Sequence, residues 1–462
     1  MQSSYDVVII GAGMAGHAAA IAAAEAGASV LMAEKCEEFG GSSLYSGATF
    51  AFADTQLQRQ QGIDDSTAAF RADLLDVGGH KNDPELVEAY LDHQLETFDW
   101  LIGLGVSFSE VQLSSNMSVP RSHPALPRQI LDLAHARALE LGVDYQANIA
   151  AKRVETASGL RILFAKDGRS VWCDVAKGIV IATGGFARSK TLVEDFAPSQ
   201  AAAMRLGGKG STGDGIEIAL GIGGEVADME FVTATFGVPL IDYPERQKNE
   251  IEGAPPLVHA MYRGAILVNE TGKRFTNEAQ SYKVLGDICL SQPNATAFQI
   301  LDNKIFEQAV ELPRTHNYKK ALAEGYLRKA DTIEELAGTV GLDPQMLAET
   351  VETYNRDARA GRDTQFGRTT LGKNVGTIVP IDAGPFYIMP STAVLFSTYA
   401  GVKVDRDMRL VDAQGSVLPG MYAAGEVIGG FHGKGYMSGT GMGKAAVFGR
   451  LAGRNAAKSH IQ

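Results

Sequence analysis

"YDVVIIGAGMAGHAAAIAAAEAGASVLMAEK", residues 5–35, decides the fold. Tyr5–Ile10 is a continuous β-branched and apolar run, the composition of a strand buried on both faces. "GAGMAG" follows at once, and the small-residue stretch that ends at Gly27 reads as a helix. Ser29–Lys35 reads as a second strand, so the chain opens on one βαβ unit. Gly11, Gly13 and Gly16 fit G-x-G-x-x-G between strand and helix. The first glycine allows the tight turn, the second lets backbone approach a pyrophosphate, and the third permits close helix–strand packing. The helix start at Met14 and Ala15 adds partial positive charge. Glu34, followed by Lys35, comes 23 residues after Gly11, where a carboxylate accepts hydrogen bonds from a ribose diol. The glycines alone are a weak signal; with strand, helix and strand all present they predict a bound dinucleotide. The motif by itself leaves NAD and FAD open.

Stretches further along favour FAD. "EKCEEFGGSSLYSGATF" sets Gly40, Gly41, Ser42 and Ser43, then Ser46 and Gly47, after the ribose acid, where amides and hydroxyls line an extended cofactor. "ATGG" (Ala182, Thr183, Gly184, Gly185) and "GSTGDG" (with Thr212 and Asp214) are two further bare-backbone approaches. "YAAGEV" offers Gly425 and Glu426, the latter suited to a ribityl hydroxyl. Contributions this widely spaced suit a long ligand.

Composition bounds the function. The 462 residues exceed one ordinary domain, and 45% apolar with 21% charged residues is a globular balance. A net charge of −12 excludes a phosphate-binding surface for nucleic acid. Three cysteines, Cys36, Cys173 and Cys289, form no CxxC pair, so no metal, haem or cluster site is expected. No apolar run approaches the ~18 residues that cross a bilayer. Met1–Ser4 lead directly into the first strand, and a cytoplasmic protein without membrane insertion is expected. Helical spacing recurs around 80–105 and 127–142, and Lys177–Gly185 is another buried strand. Between 237 and 380 the character changes to a proline-rich, loop-like stretch and then paired amphipathic helices with a turn at Leu342–Pro344. The expected organisation is α/β. A Rossmann-like FAD-binding domain (GR2-type) at 1–236 and 381–462 is interrupted by an α+β cap at 237–380.

In family order, "GAGMAG…EK", "GGSSLYSG", "ATGG", "GSTGDG", "GKRFTNE", "GMYAAGEV" and "VFGRLAG" span nearly the whole chain. In these pieces it resembles the flavoproteins that include fumarate reductase, succinate dehydrogenase, L-aspartate oxidase and the 3-ketosteroid dehydrogenases. The resemblance implies an FAD domain, a mobile cap and an active site between them. Covalent members attach FAD through a histidine before the paired glycines; "CEEFGG" stands there, which implies non-covalent FAD. "SGTGMG" with Ser438, Gly439, Thr440, Gly441 and Met442 would then put a helix start at the flavin pyrimidine edge, stabilising negative charge on the reduced ring.

Fumarate reductases grip a dicarboxylate with charged groups. In "GKRFTNEAQSYKVLG" Tyr282 stands where their acid arginine would be. Tyr436 takes the place of a second arginine, and Phe396 or Ser397 that of a histidine. "NEAQSY" with "GYMSGTG" instead looks like the 3-ketosteroid dehydrogenases, the Y-x-S-G form resembling the Δ4 type. The expected chemistry is α,β-dehydrogenation of a cyclic ketone, with hydride passing to flavin N5 and then to an external acceptor. Tyr436 and an N–H near Ser438 or Gly439 polarise the carbonyl, and Tyr282 is the base; the same residues could run the reverse, enone-reducing direction. An ordinary phenol pKa of ~10 means Tyr282 needs an activating neighbour. Two alternatives stand beside this. One is a reductase of a small unsaturated carboxylate or keto acid that recruits Arg121, His123 or Arg263; the other is a flavin-carrying electron-transfer subunit. His259 and Arg263 read as solvated loop residues, Cys36 as a small residue after the ribose acid, and His432 as a structural hydrogen-bonding group.

Overall fold

The computed structural model describes residues 1–47, 49–157, 159–245, 257–311, 314–372 and 375–459. The middle of the proline-rich stretch, 246–256, lies outside the described residues. The chain divides into two compact units. The first comprises Met1–Ala197, Gly207–Val232 and Ser397–Gln462; the second comprises Pro198–Leu206 and Thr233–Phe396.

The first unit is built on the opening βαβ. Ser4–Ile10 lies between Val30–Ala33 and Arg169–Ile181, parallel to both, with Val8 opposite Leu31 on one side and Ile179 on the other. Asp144–Gln146 extends the sheet beyond Val30–Ala33. Val417–Ala423 and then Arg409–Val411 extend the other side. Val7, Val8 and Ile9 are fully buried, as a strand covered on both faces requires. The helix Met14–Glu25 packs on Thr440–Lys458, and glycine sets their separation. A Cβ on Gly449 would stand 2.5 Å from Ala15 O, and one on Gly453 would stand 2.1 Å from Ala19 O. "FGRLAG" therefore presents bare backbone, one turn apart, to the alanine face of "HAAAIAAA". The two motifs at opposite ends of the chain explain each other.

The second unit is organised around Phe386–Leu395, a ten-residue strand. Thr235–Pro239 and Ala297–Asp302 pair antiparallel with it, as does Arg328–Ala330; Met204–Arg205 pairs parallel. Ile266–Val268 follows outside Ala297–Asp302. The sequence expectation had assigned everything after 380 to the first domain. Phe386–Leu395 instead belongs to this second sheet. The helices Ile333–Val340 and Pro344–Arg359 cover the unit's core, with Leu336, Ala337, Leu347 and Val351 turned inward. Beside them Arg274 bonds both carboxylates of Glu278 and Asp363, all three side chains fully buried. Arg368 Nη1 joins Glu278 at 3.3 Å.

Candidate active site

In the first unit the fingerprint turn packs so closely on neighbouring backbone that Gly11 and Gly16 admit no side chain. Gly11 has φ +106°, and a Cβ there would lie 2.4 Å from Ala182 O; at Gly16 one would lie 1.9 Å from Gly11 O. Gly13 begins the Met14–Glu25 helix with no side chain capping it. Met14 N–H donates to Ser43 Oγ (3.2 Å), and Gly40 N–H donates to Ala12 O (2.8 Å). The Gly41–Tyr45 turn is thereby fastened to the fingerprint. On its other side Ser42 Oγ accepts from Gly208 N–H (3.0 Å) and lies 3.0 Å from Ser211 Oγ. Ser46 Oγ donates to Ser43 O (2.7 Å), while Gly41 and Gly47 are exposed.

Glu34 is oriented by backbone: Oε2 accepts from Ala12 N–H (2.9 Å) and Oε1 from Cys36 N–H (2.8 Å). Each oxygen retains acceptor capacity for a diol. Lys35 spans to the third glycine segment, where Nζ lies 2.9 Å from Asp214 Oδ2 and also bonds Thr212 Oγ1. Burial pushes the Asp214 carboxyl up, but the Thr212 and Lys35 bonds outweigh it and hold it below its usual range. Gly213, with φ +87°, starts Asp214–Gly221 without a side-chain cap. A Cβ on Gly215 would meet Thr183 Oγ1 at 2.1 Å, and one on Gly185 would meet Glu426 Oε1 at 2.3 Å. Gly184 and Gly425 both have positive φ, +75° and +85°. Residues 11–16, 34, 182–185 and 425–426 thus all follow the carboxyl ends of neighbouring parallel strands. Their bare backbones, uncapped helix starts and oriented carboxylate fit an FAD, which when bound supplies a hydride-accepting ring.

The glycine loop at 430–441 carries the aromatic groups. Tyr436 stacks on Tyr399 with centroids 4.6 Å apart and 20° between planes, and His432 closes edge-on to Tyr399 at 4.9 Å. The Tyr436 hydroxyl lies over the first turn of Thr440–Lys458, 3.3 Å from where a Cβ on Gly441 would be. Gly439, φ +87°, begins that helix with no side-chain cap. The loop is fixed from outside: Asn116 Nδ2 donates to Tyr436 O (2.8 Å), and Ser438 N–H donates to Ser115 O (3.2 Å). His432 Nε2 lies 3.0 Å from Thr440 Oγ1, the structural bond expected of it. Met442 is buried in the helix. Sequence reasoning missed Tyr399. It is a non-glycine residue at φ +58°, a conformation that costs about 1–3 kcal/mol and persists where the surroundings enforce it. Of the two residues weighed for the histidine position, Phe396 packs on an apolar cluster of the second unit and Ser397 is half-buried.

Tyr282 stands in the second unit as the first residue of Tyr282–Leu290, whose cap is Ser281. Its ring lies flat on His259, centroids 5.1 Å apart and 12° between planes. His259 is buried, which corrects its reading as a solvated loop residue. Its Nε2 faces Phe236 O at 2.9 Å, so that nitrogen carries the proton, and burial pushes the imidazole pKa down to about 4. Tyr262, a second unforeseen phenol, donates to Gln280 O (2.9 Å) just before this helix.

Arg121 and His123 are occupied internally. Arg121 is fully buried, with Nε and Nη2 both 2.7 Å from Asp65 and Nη1 on Asp73. His123 Nδ1 donates to Arg121 O (2.8 Å), and Nε2 meets Thr55 Oγ1 (2.8 Å); burial brings its pKa down to about 4. Both pin the 114–124 loop. Arg263, half-buried, forms no ion pair among the described residues, and its charge acts on His316 and Tyr318. Among the described residues no group of histidine, cysteine or acidic side chains could hold a metal, and no helix is long and apolar enough to cross a membrane.

The FAD binding domain family model matches residues 6–442. The NADH:fumarate oxidoreductase of Klebsiella pneumoniae is 30% identical over 98% of this chain, which spans 48% of that protein's length. The vinyl phenol reductase of Lactiplantibacillus plantarum is 29% identical over 91% of this chain and 89% of its own. Among solved structures, the open conformation of a flavocytochrome c3 fumarate reductase superposes with a TM-score of 0.84 at 28% identity, covering 99% of this chain and 78% of that one. The 3-ketosteroid-Δ4-(5α)-dehydrogenase of Rhodococcus jostii RHA1 shares the fold, with a TM-score of 0.77 at 24% identity over 99% and 98% of the two chains. The chain belongs to the FAD binding domain family and is an FAD-dependent oxidoreductase related to the fumarate reductases.

Proposed function

We propose that this protein moves a hydride between FAD, held non-covalently, and a CH–CH bond next to a neutral carbonyl. A cyclic ketone such as a 3-ketosteroid is the donor; an enone is the acceptor in the reverse direction. The observation that carries the reading is the phenol of Tyr436, stacked on Tyr399 over the first turn of Thr440–Lys458. A phenol and uncapped helix amides stabilise an enolate oxygen without offering a carboxylate a counter-charge. Because Ser438 N–H is held by Ser115 O, Tyr436 polarises the carbonyl together with the Gly439 amide, and Tyr282 takes the α-proton. The second unit serves as the cap, an external acceptor removes the electrons, and the relative named for a vinyl phenol lends support to a substrate without a carboxylate.

A second reading, reduction of an unsaturated carboxylate, draws on the relatives named for fumarate and on Arg263, which makes no ion pair among the described residues. Anaerobic titration separates the two. Saturated cyclic ketones should bleach the flavin while succinate does not. Tyr436→Phe should slow bleaching by about 10²–10³-fold, the usual cost of one oxyanion donor. Bleaching by succinate that disappears in Arg263→Met would replace the ketone reading with the carboxylate one. Bleaching by neither class would favour an electron-transfer component.

A further inference from the structure

Lys444 is 1% exposed, one turn into the Thr440–Lys458 helix. A buried ammonium is costly unless its charge is answered. Nζ donates to Ile428 O at 2.9 Å, and no carboxylate comes within ion-pair distance among the described residues. Two carboxylates act on it from neighbouring elements: Glu426, in the Gly425–Val427 turn, and Asp228, which accepts from Gly430 N–H at 2.8 Å. Glu426 in turn accepts from Thr398 N–H at 3.0 Å. Lys444 thus ties the turn that bears Glu426 to the uncapped helix, and it puts one positive charge into that cluster. Burial draws its pKa down against the upward pull of Glu426 and Asp228, to a net value of about 8, above neutral pH.

We propose that Lys444 is a positioning residue of the flavin site whose buried charge raises the two-electron potential of the bound FAD. The proposal depends on FAD binding and not on which substrate is oxidised. Its physical basis is that a cation in a low-dielectric setting favours the more negative, reduced flavin.

Lys444→Gln keeps a donor for Ile428 O and removes the charge. Its reduced-to-oxidised ratio at fixed potential should fall at least tenfold, a midpoint about 30 mV lower, read by dye-coupled spectroelectrochemistry at pH 7. Lys444→Met should show the same shift together with weaker FAD binding. A wild-type midpoint in the Gln variant overturns the proposal and leaves Lys444 a structural pin. If neither variant retains FAD, the wild-type midpoint is followed from pH 6.5 to 9.5. An extra downward bend near pH 8, as Lys444 deprotonates between Glu426 and Asp228, supports the proposal; its absence refutes it.

Discussion

The helix starts of the two units are built differently. In the second unit five helices each begin with a side chain that accepts an early N–H: Ser281, Asp302, Asn317, Thr332 and Asp343. In the first unit Thr55, Ser66, Asp83 and Ser189 do the same. Four helices of that unit begin with no side-chain cap: three start at Gly13, Gly213 and Gly439, and Pro127–Glu140 starts at Leu126 with a proline in its first turn. A side-chain cap takes up one of the helix's leading N–H groups, whereas a glycine start supplies no such acceptor of its own. The three glycine starts follow the three glycine motifs read as cofactor contacts, whereas the start at Leu126 follows none. A glycine start without a side-chain cap is therefore a sharper sign of a ligand than glycine content, since glycine is spread through the whole chain.

The comparison breaks most visibly at Gly16. A Cβ there meets Gly11 O at 1.9 Å, so Gly16→Val should abolish FAD retention, read as loss of flavin absorbance after gel filtration. Arg121→Met should cost about 3–5 kcal/mol in urea unfolding, because Asp65 is left buried without its partner. Were Arg121 a substrate cation, KM would rise with stability unchanged.

Asp363 tests the second unit. Burial pushes its carboxyl up, but Arg274 and backbone N–H bonds prevail and hold the pKa at about 2, down from 3.8. A lowered carboxyl pKa gives stability that is full above pH ~4 and lost as pH falls toward ~2, here about 2 kcal/mol. Asp363→Asn should flatten the acid limb of a stability–pH curve, and an unchanged limb would remove Asp363 from that role. The smallest effect belongs to Ser281→Ala. It should cost about 1 kcal/mol by chemical denaturation and leave FAD affinity unaltered.

Much of this was legible in the residues. The apolar run at 5–10, the fingerprint and the helical spacing at 84–103 and 344–359 are local patterns, and local patterns are what sequence periodicity reports. Phe386–Leu395 was not, because Pro390 in its middle reads against a central strand. In the fold the Pro390 carbonyl accepts from Leu240 N–H at 2.9 Å, and pairing proceeds around the missing donor. The fate of Arg121 was equally hidden, since Asp65 and Asp73 lie 56 and 48 residues away. Tyr399 escaped notice because its importance lies in a left-handed backbone and a ring stack that no spacing announces.

The account rests on neutral phenols, not cations, meeting the substrate, and reoxidation of the photoreduced protein tests this most directly. Mixed anaerobically with a cyclic enone and, separately, with fumarate at equal concentration, the reduced flavin should reoxidise rapidly with the enone and negligibly with fumarate. Rapid reoxidation by fumarate with no response to the enone would contradict it.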